Sequence, residues 1–101
     1  GSSTLSALLR LQRACGRWDP TLELYLLLGL PPTMKRAASP REATALALAA
    51  LETQHAARAA TWELVARKAR LWLEKEGGGA AEEALAEGRR ILAEAVGKSG
   101  I

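Results

Sequence analysis

The sequence predicts an all-α fold, a compact bundle of about five helices at approximately 4–14, 20–28, 40–55, 61–75 and 80–96. Three observations carry that expectation. Alanine and leucine dominate a chain with 49% hydrophobic residues and no Phe, and both lose little conformational freedom in a helix. Apolar residues recur at spacings of three and four. Capping residues, prolines and glycines fall between those runs, where helices start and stop. A chain of 101 residues, 25% of them charged, is globular and too short for a second core. Residues 1–3 read as a cloning remnant, 4–97 as one helical domain and 98–101 as a tail.

Leu5, Leu8, Leu9 and Leu11 open the first helix, with Ser3 or Thr4 as cap and an end near Cys15 and Gly16. Asp19 followed by Pro20 reads as the start of the second, since Asp accepts from free amides and proline suits the first helical position. Gly29 closes it, with Leu30 folding back on Tyr25. Pro31 and Pro32 stop continuation, and 31–38 reads as a basic loop. Ser39, Pro40 and Glu42 form a capping box that begins the third helix. Leu46, Leu48 and Leu51 among alanines make that helix apolar nearly all round, which suits a buried central element. No Gly or Pro separates it from the fourth helix. One helix from 40 to 75 would nevertheless span roughly 54 Å, too long for so small a domain, so a turn is expected at 56–60. Gly77, Gly78 and Gly79 read as a flexible hinge, without the downstream Gly-Lys-Ser/Thr of a phosphate loop. The last helix places Glu82 and Glu83 in its first turn, where negative charge complements the helix dipole. Gly88 sits on its apolar stripe, which points to close approach by a neighbour.

The fourth helix is the most informative. Trp62, Val65, Ala66, Ala69, Trp72 and Leu73 form one apolar stripe, with Arg67, Lys68 and Arg70 held off it. Large indoles make this helix the expected core anchor, with Trp62 and Trp72 joined by Trp18. Leu64 and Leu71 lie one heptad apart on nearly the opposite side. Two readings stand. They form a partner surface with Lys68 and Lys75 alongside, or they pack internally against the first two helices; sequence alone favours the second.

The formal charge of +3 and isoelectric point near 9.5 are mild for a nucleic-acid binder. Basic residues fall into three groups: Arg10, Arg13 and Arg17; Lys35, Arg36 and Arg41; Arg67, Lys68 and Arg70. They read as solvated surface more readily than as a phosphate track, and the tryptophans lack interleaved cations on their own face. No run approaches the roughly 18 apolar residues of a membrane span. Cys15 is the single cysteine and His55 the single histidine, too few soft ligands for zinc. Cys15 reads as a small turn residue and His55 as a polar residue at a helix end. No catalytic, cofactor or metal residues are assigned. The chain reads as a monomeric, cytoplasmic binding module, with a small basic nucleic-acid-binding domain as the alternative.

Two segments carry a family resemblance. Leu11, Gln12, Gly16 and Trp18, followed by the apolar helix Leu22 to Leu30, resemble a motif of leucine-glutamine, glycine-x-tryptophan and a helix ending leucine-glycine-leucine. Ala43 to Leu51, then Trp62-Glu63-Leu64 and Lys68-Ala69 to Trp72-Leu73, resemble its continuation. Together they are similar to the C-terminal domain of the VIT and von Willebrand factor A domain-containing proteins, which include the type 5 group and vault poly(ADP-ribose) polymerase. The resemblance implies a helical module at the end of a larger intracellular chain. It also implies a protein partner, with major vault protein as the precedent, and no catalytic residues.

Overall fold

In the computed structural model, which describes residues 2–29, 39–76 and 78–99, helices follow the expected order. They are α1 (Ser2–Arg10), α2 (Leu22–Leu28), α3 (Pro40–Gln54), a 3-10 turn (Ala56–Arg58), α4 (Ala59–Lys75) and α5 (Ala81–Ser99). No strand occurs among the described residues. Over the described residues the chain is an all-α bundle of five helices.

The centre is α3. Every residue from Ala43 to Leu51 is buried, the polar Thr44 included. Ser39 caps this helix by accepting from the Glu42 amide at 3.2 Å, with Pro40 at the first position. α5 makes the widest contact with α3, followed by α4 and α2, while α1 pairs with α2. The alanines of α3 admit this crowding, because short side chains let neighbouring backbones come close. At Gly88 the approach is extreme: a Cβ there would lie 2.7 Å from the Ala45 carbonyl oxygen and 2.9 Å from its carbon.

The break after α3 falls where a turn was expected. The His55 amide donates to Leu51 at 3.2 Å, and the helix then stops. The His55 carbonyl accepts twice, from the Arg58 amide at 2.9 Å and from the Trp62 indole N–H at 2.8 Å. Trp62 thus holds the turn that no glycine or proline marks.

Several expectations need correction. α1 ends at Arg10 and not near residue 14; Gly16, at φ +108°, serves instead to bring a turn against α4. Thr21, not Asp19, caps α2, its hydroxyl accepting from the Leu24 amide at 3.2 Å. Asp19 is taken up by Arg17 at 2.8 Å and Arg13 at 3.5 Å. α4 is not the anchor of the core, since it buries only Ala66, Ala69, Trp72 and Leu73, while Trp62 is half-buried. The link to α5, read as a free hinge, is tied at Gly79 and Ala80, whose carbonyls accept from the Arg41 guanidinium at 2.6 and 3.4 Å. Gly29 closes α2 as expected, donating to Leu26 in a left-handed conformation. Leu30 folding on Tyr25, the 31–38 loop and Gly77 lie outside the described residues.

Trp18 is fully buried and belongs to no helix. Its indole N–H donates to the Leu8 carbonyl at 2.9 Å. Its backbone amide donates to Thr44 Oγ1 at 2.9 Å, and that hydroxyl donates back to the Trp18 carbonyl at 3.4 Å. The α1–α2 connection is therefore fastened to α3 through one buried threonine.

Two substitutions test this architecture. Gly88→Ala should lower stability by about 1–3 kcal/mol through overpacking, although Ala for Gly in an open helix gains about 1 kcal/mol; a urea midpoint at or above wild type would refute the close approach. Thr44→Val keeps the volume but strands the Trp18 amide in the core, so a loss of about 1–3 kcal/mol is expected in the same assay.

Candidate functional site

α4 presents a second face opposite its buried stripe. Leu64 is 73% exposed and Leu71 53% exposed. They were expected to pack internally against the first two helices, and they do not, because α1 and α2 meet each other and α2 meets α3 instead. The leucines stand one heptad apart, roughly 10.5 Å along the axis at about 1.5 Å per residue. Lys68 and Lys75, both exposed, lie beside them at the same repeat.

The face is carried on a fixed support. Gln12 Nε2 donates to the Val65 carbonyl at 3.1 Å and to the Gly16 carbonyl at 3.0 Å, joining the connection after α1 to the middle of α4. Gly16 lies so close that a Cβ would sit 2.7 Å from the Lys68 carbonyl oxygen and 3.1 Å from Lys68 Cγ. On the far side Arg70 reaches Glu52 of α3 at 3.0 Å and Glu82 of α5 at 3.2 Å. Glu52 also receives Arg89 at 2.7 Å. Glu74 accepts from the Ala81 amide at 3.0 Å and so ties the end of α4 to the start of α5.

Charge is distributed unevenly. Arg13, Arg17, Arg70, Arg89 and Arg90 all pair with carboxylates. The hydrogen bond and charge of Asp19 raise the Arg17 pKa, and hydrogen bonding from Arg90 holds the Glu87 carboxyl below its ordinary value. Among the described residues no ion pair is made by Arg67, Lys68 or Lys75. The unpaired cations on α4 thus gather around its exposed leucines.

Sequence reasoning missed a second exposed pair. Leu22 and Leu26, 45% and 61% exposed, sit four residues apart on α2 while Leu24, Tyr25 and Leu28 turn inward. Their spacing was available in the sequence, but the run reads as uniformly apolar and does not say which side is covered.

The residues considered for chemistry stand apart. Cys15 is exposed in a turn, its Sγ accepting from Arg17 at 3.5 Å. His55 caps α3, its Nε2 buried without a hydrogen-bond partner, and no hydrogen bond joins it to Cys15. Among the described residues no three His, Cys, Asp or Glu side chains gather as a metal site. No described helix is long and apolar enough to cross a membrane.

A hollow of about 330 Å³ lies between α3 and α5, edged by Glu42, Glu83 and Glu87 and floored by Ala45 and Gly88. Glu42 Oε1 accepts from the Tyr25 hydroxyl at 3.5 Å. Burial first, and the Glu42 charge second, push the Tyr25 phenol from 10.0 up to about 12. A raised pKa on an acid favours the neutral form in the folded state, so its contribution is complete below pH 10 and is lost as pH rises towards 12. As the only tyrosine, Tyr25 gives a clean ultraviolet titration. Its phenolate should appear near pH 12 in the folded protein and near pH 10 when unfolded, with about 2–3 kcal/mol of stability lost between. A folded-state midpoint near the ordinary value would contradict the burial.

No family model, curated protein or solved structure matches this chain.

Proposed function

We propose that this chain is a non-catalytic protein–protein interaction module that docks through the outward face of α4, with Leu64, Lys68, Leu71 and Lys75 as contact residues. The observation that carries the reading is the exposure of two leucines, 73% and 53%, on a helix whose opposite side is locked into the bundle. Burying a leucine contributes about 1.5–3 kcal/mol. A fixed helix that leaves two of them in water offers ready complementarity to a partner groove or helix. The resemblance described above implies, and we propose, a module from the C-terminal end of a larger intracellular multidomain protein, with a large assembly such as the vault particle as its target. Pairing of Arg70 with Glu52 and Glu82 takes one member out of the Arg67, Lys68 and Arg70 group that a phosphate track would use, and weighs against nucleic acid.

Co-sedimentation with purified vault particles tests the reading. The wild-type chain should pellet with the particles. The Leu64→Asp, Leu71→Asp double variant should stay in the supernatant while keeping its helical circular dichroism, since both side chains are exposed. Equal pelleting of the two proteins would remove this face from consideration, and no pelleting of either would remove the vault as target.

A further inference from the structure

The α4 face is chemically lopsided, and the asymmetry specifies what fits it. On a helical wheel Lys68 and Lys75 lie within about 40° of Leu64 on one side, while Arg67, Glu74 and Glu63 lie within about 100° on the other. One flank is therefore purely cationic and the other mixed. The cationic flank continues onto a second element. Lys68 Cγ lies against Gly16, and the turn holding Gly16 carries Arg13 and Arg17, two guanidinium groups that share the single carboxylate of Asp19. Neither Lys68 nor Lys75 has a carboxylate within ion-pair range among the described residues. The flank carries a net positive charge, with Lys68 and Lys75 unpaired among the described residues and two guanidinium groups set against one carboxylate.

We infer that the occupant is an amphipathic helix of another protein whose apolar stripe covers Leu64 and Leu71 and whose acidic side chains, on one flank only, meet Lys68, Lys75 and the Arg13–Arg17 turn. This rests on the docking reading above and adds the partner's chemistry to it. Helices meeting along a heptad-spaced seam choose partner and orientation through their flanking charges. A second copy of this chain is a poor occupant. Antiparallel pairing sets the lysine flank against itself, and parallel pairing sets it against the mixed flank of the other copy, where the lysines meet Arg67 as well as Glu63 and Glu74. Each arrangement places like charges together at the seam. An anionic lipid surface would meet the cations, but it would also meet Glu63 and Glu74 on the opposite flank.

The experiment uses two synthetic three-heptad helices with the same leucine seam, one with a glutamate flank and one with lysine in its place, titrated into the labelled chain and followed by amide chemical shifts. The glutamate peptide should perturb amides along α4 and around Gly16, and its binding should weaken as salt is raised. Lys68→Glu with Lys75→Glu should weaken it about tenfold and should switch preference to the lysine peptide. If both peptides bind wild type alike through Leu64 and Leu71, the acidic chemistry is wrong and the docking face stands. If neither binds, or if Leu64→Asp with Leu71→Asp binds the glutamate peptide as wild type does, the docking face falls as well. Phosphatidylglycerol vesicles captured in place of the glutamate peptide, or concentration-dependent sedimentation of the chain alone that Leu64→Asp abolishes, would each overturn the proposed partner.

Discussion

The arrangement depends on one helix that has no outside. From Ala43 to Leu51 every side chain of α3 is covered, and that condition restricts all other parts of the chain. A helix surrounded on every side must carry small residues wherever a neighbour's backbone comes near, and α3 does so with alanines between its leucines. The closest neighbour answers in kind: Gly88 of α5 brings its backbone to the Ala45 carbonyl, where no Cβ would fit. Interiors are packed as densely as organic crystals, so a methyl group added at such a seam has nowhere to go. The helices around α3 then need only one buried face each, and whatever apolar groups their outer faces carry remain in water. Leu64, Leu71, Leu22 and Leu26 are that remainder.

Burial of a central helix leaves the irregular connections with a harder task, because backbone amides and carbonyls taken out of water need partners. Between α1 and α2 no helix supplies them. Thr44 fills the gap from the middle of α3, accepting from the Trp18 amide and donating to the Trp18 carbonyl, while the indole of the same residue reaches Leu8. Gln12 does the equivalent service one turn earlier, bonding Gly16 and Val65 together. The result for α4 is a helix that buries few large side chains yet is held along its length, by Gln12 and Gly16 on one side, by Arg70 on another and by the Trp62 indole at its start. Side chains on a helix held in this way keep a defined spacing, which is what recognition requires of a contact surface.

Features dictated by local chemistry were legible in the sequence. Ser39 and Pro40 at the start of α3, Gly29 at the end of α2, the interruption after residue 54 and the close packing at Gly88 all follow from propensities, length or cost arguments that concern a few neighbouring residues. What was misread depends on contacts distant in sequence. Asp19 looks like a cap until Arg13 and Arg17 claim it, leaving Thr21 to do the capping. Gly16 looks like a helix stop until α4 arrives against it. The alanines and leucines of α3 marked it as a buried central element, as it is, whereas the expectation that both tryptophans of α4 anchor the core holds for Trp72 and not for the half-buried Trp62. Leu64 and Leu71 were visible as a second face, but whether a second face meets protein or solvent depends on how many helices surround it, and no periodicity reports that.

The size of the exposed stripe sets how such a surface would work. Two leucines already partly covered would contribute together about 2–4 kcal/mol on burial, and charges at a solvent-exposed rim add only about 0.2–1 kcal/mol each. Association costs an estimated 4–15 kcal/mol in lost freedom, so one α4 face meeting one partner helix forms a short-lived contact. A weak contact gains persistence when it is repeated or tethered, because the second event then proceeds at an effective concentration set by the linkage. A module of this kind is matched to a partner displayed in many copies, or to a larger chain that brings several contacts at once. The same weakness would make charge the deciding factor for the proposed docking face: where hydrophobic burial barely balances the cost of association, the unpaired lysines beside the leucines would determine which helices are retained and which are released.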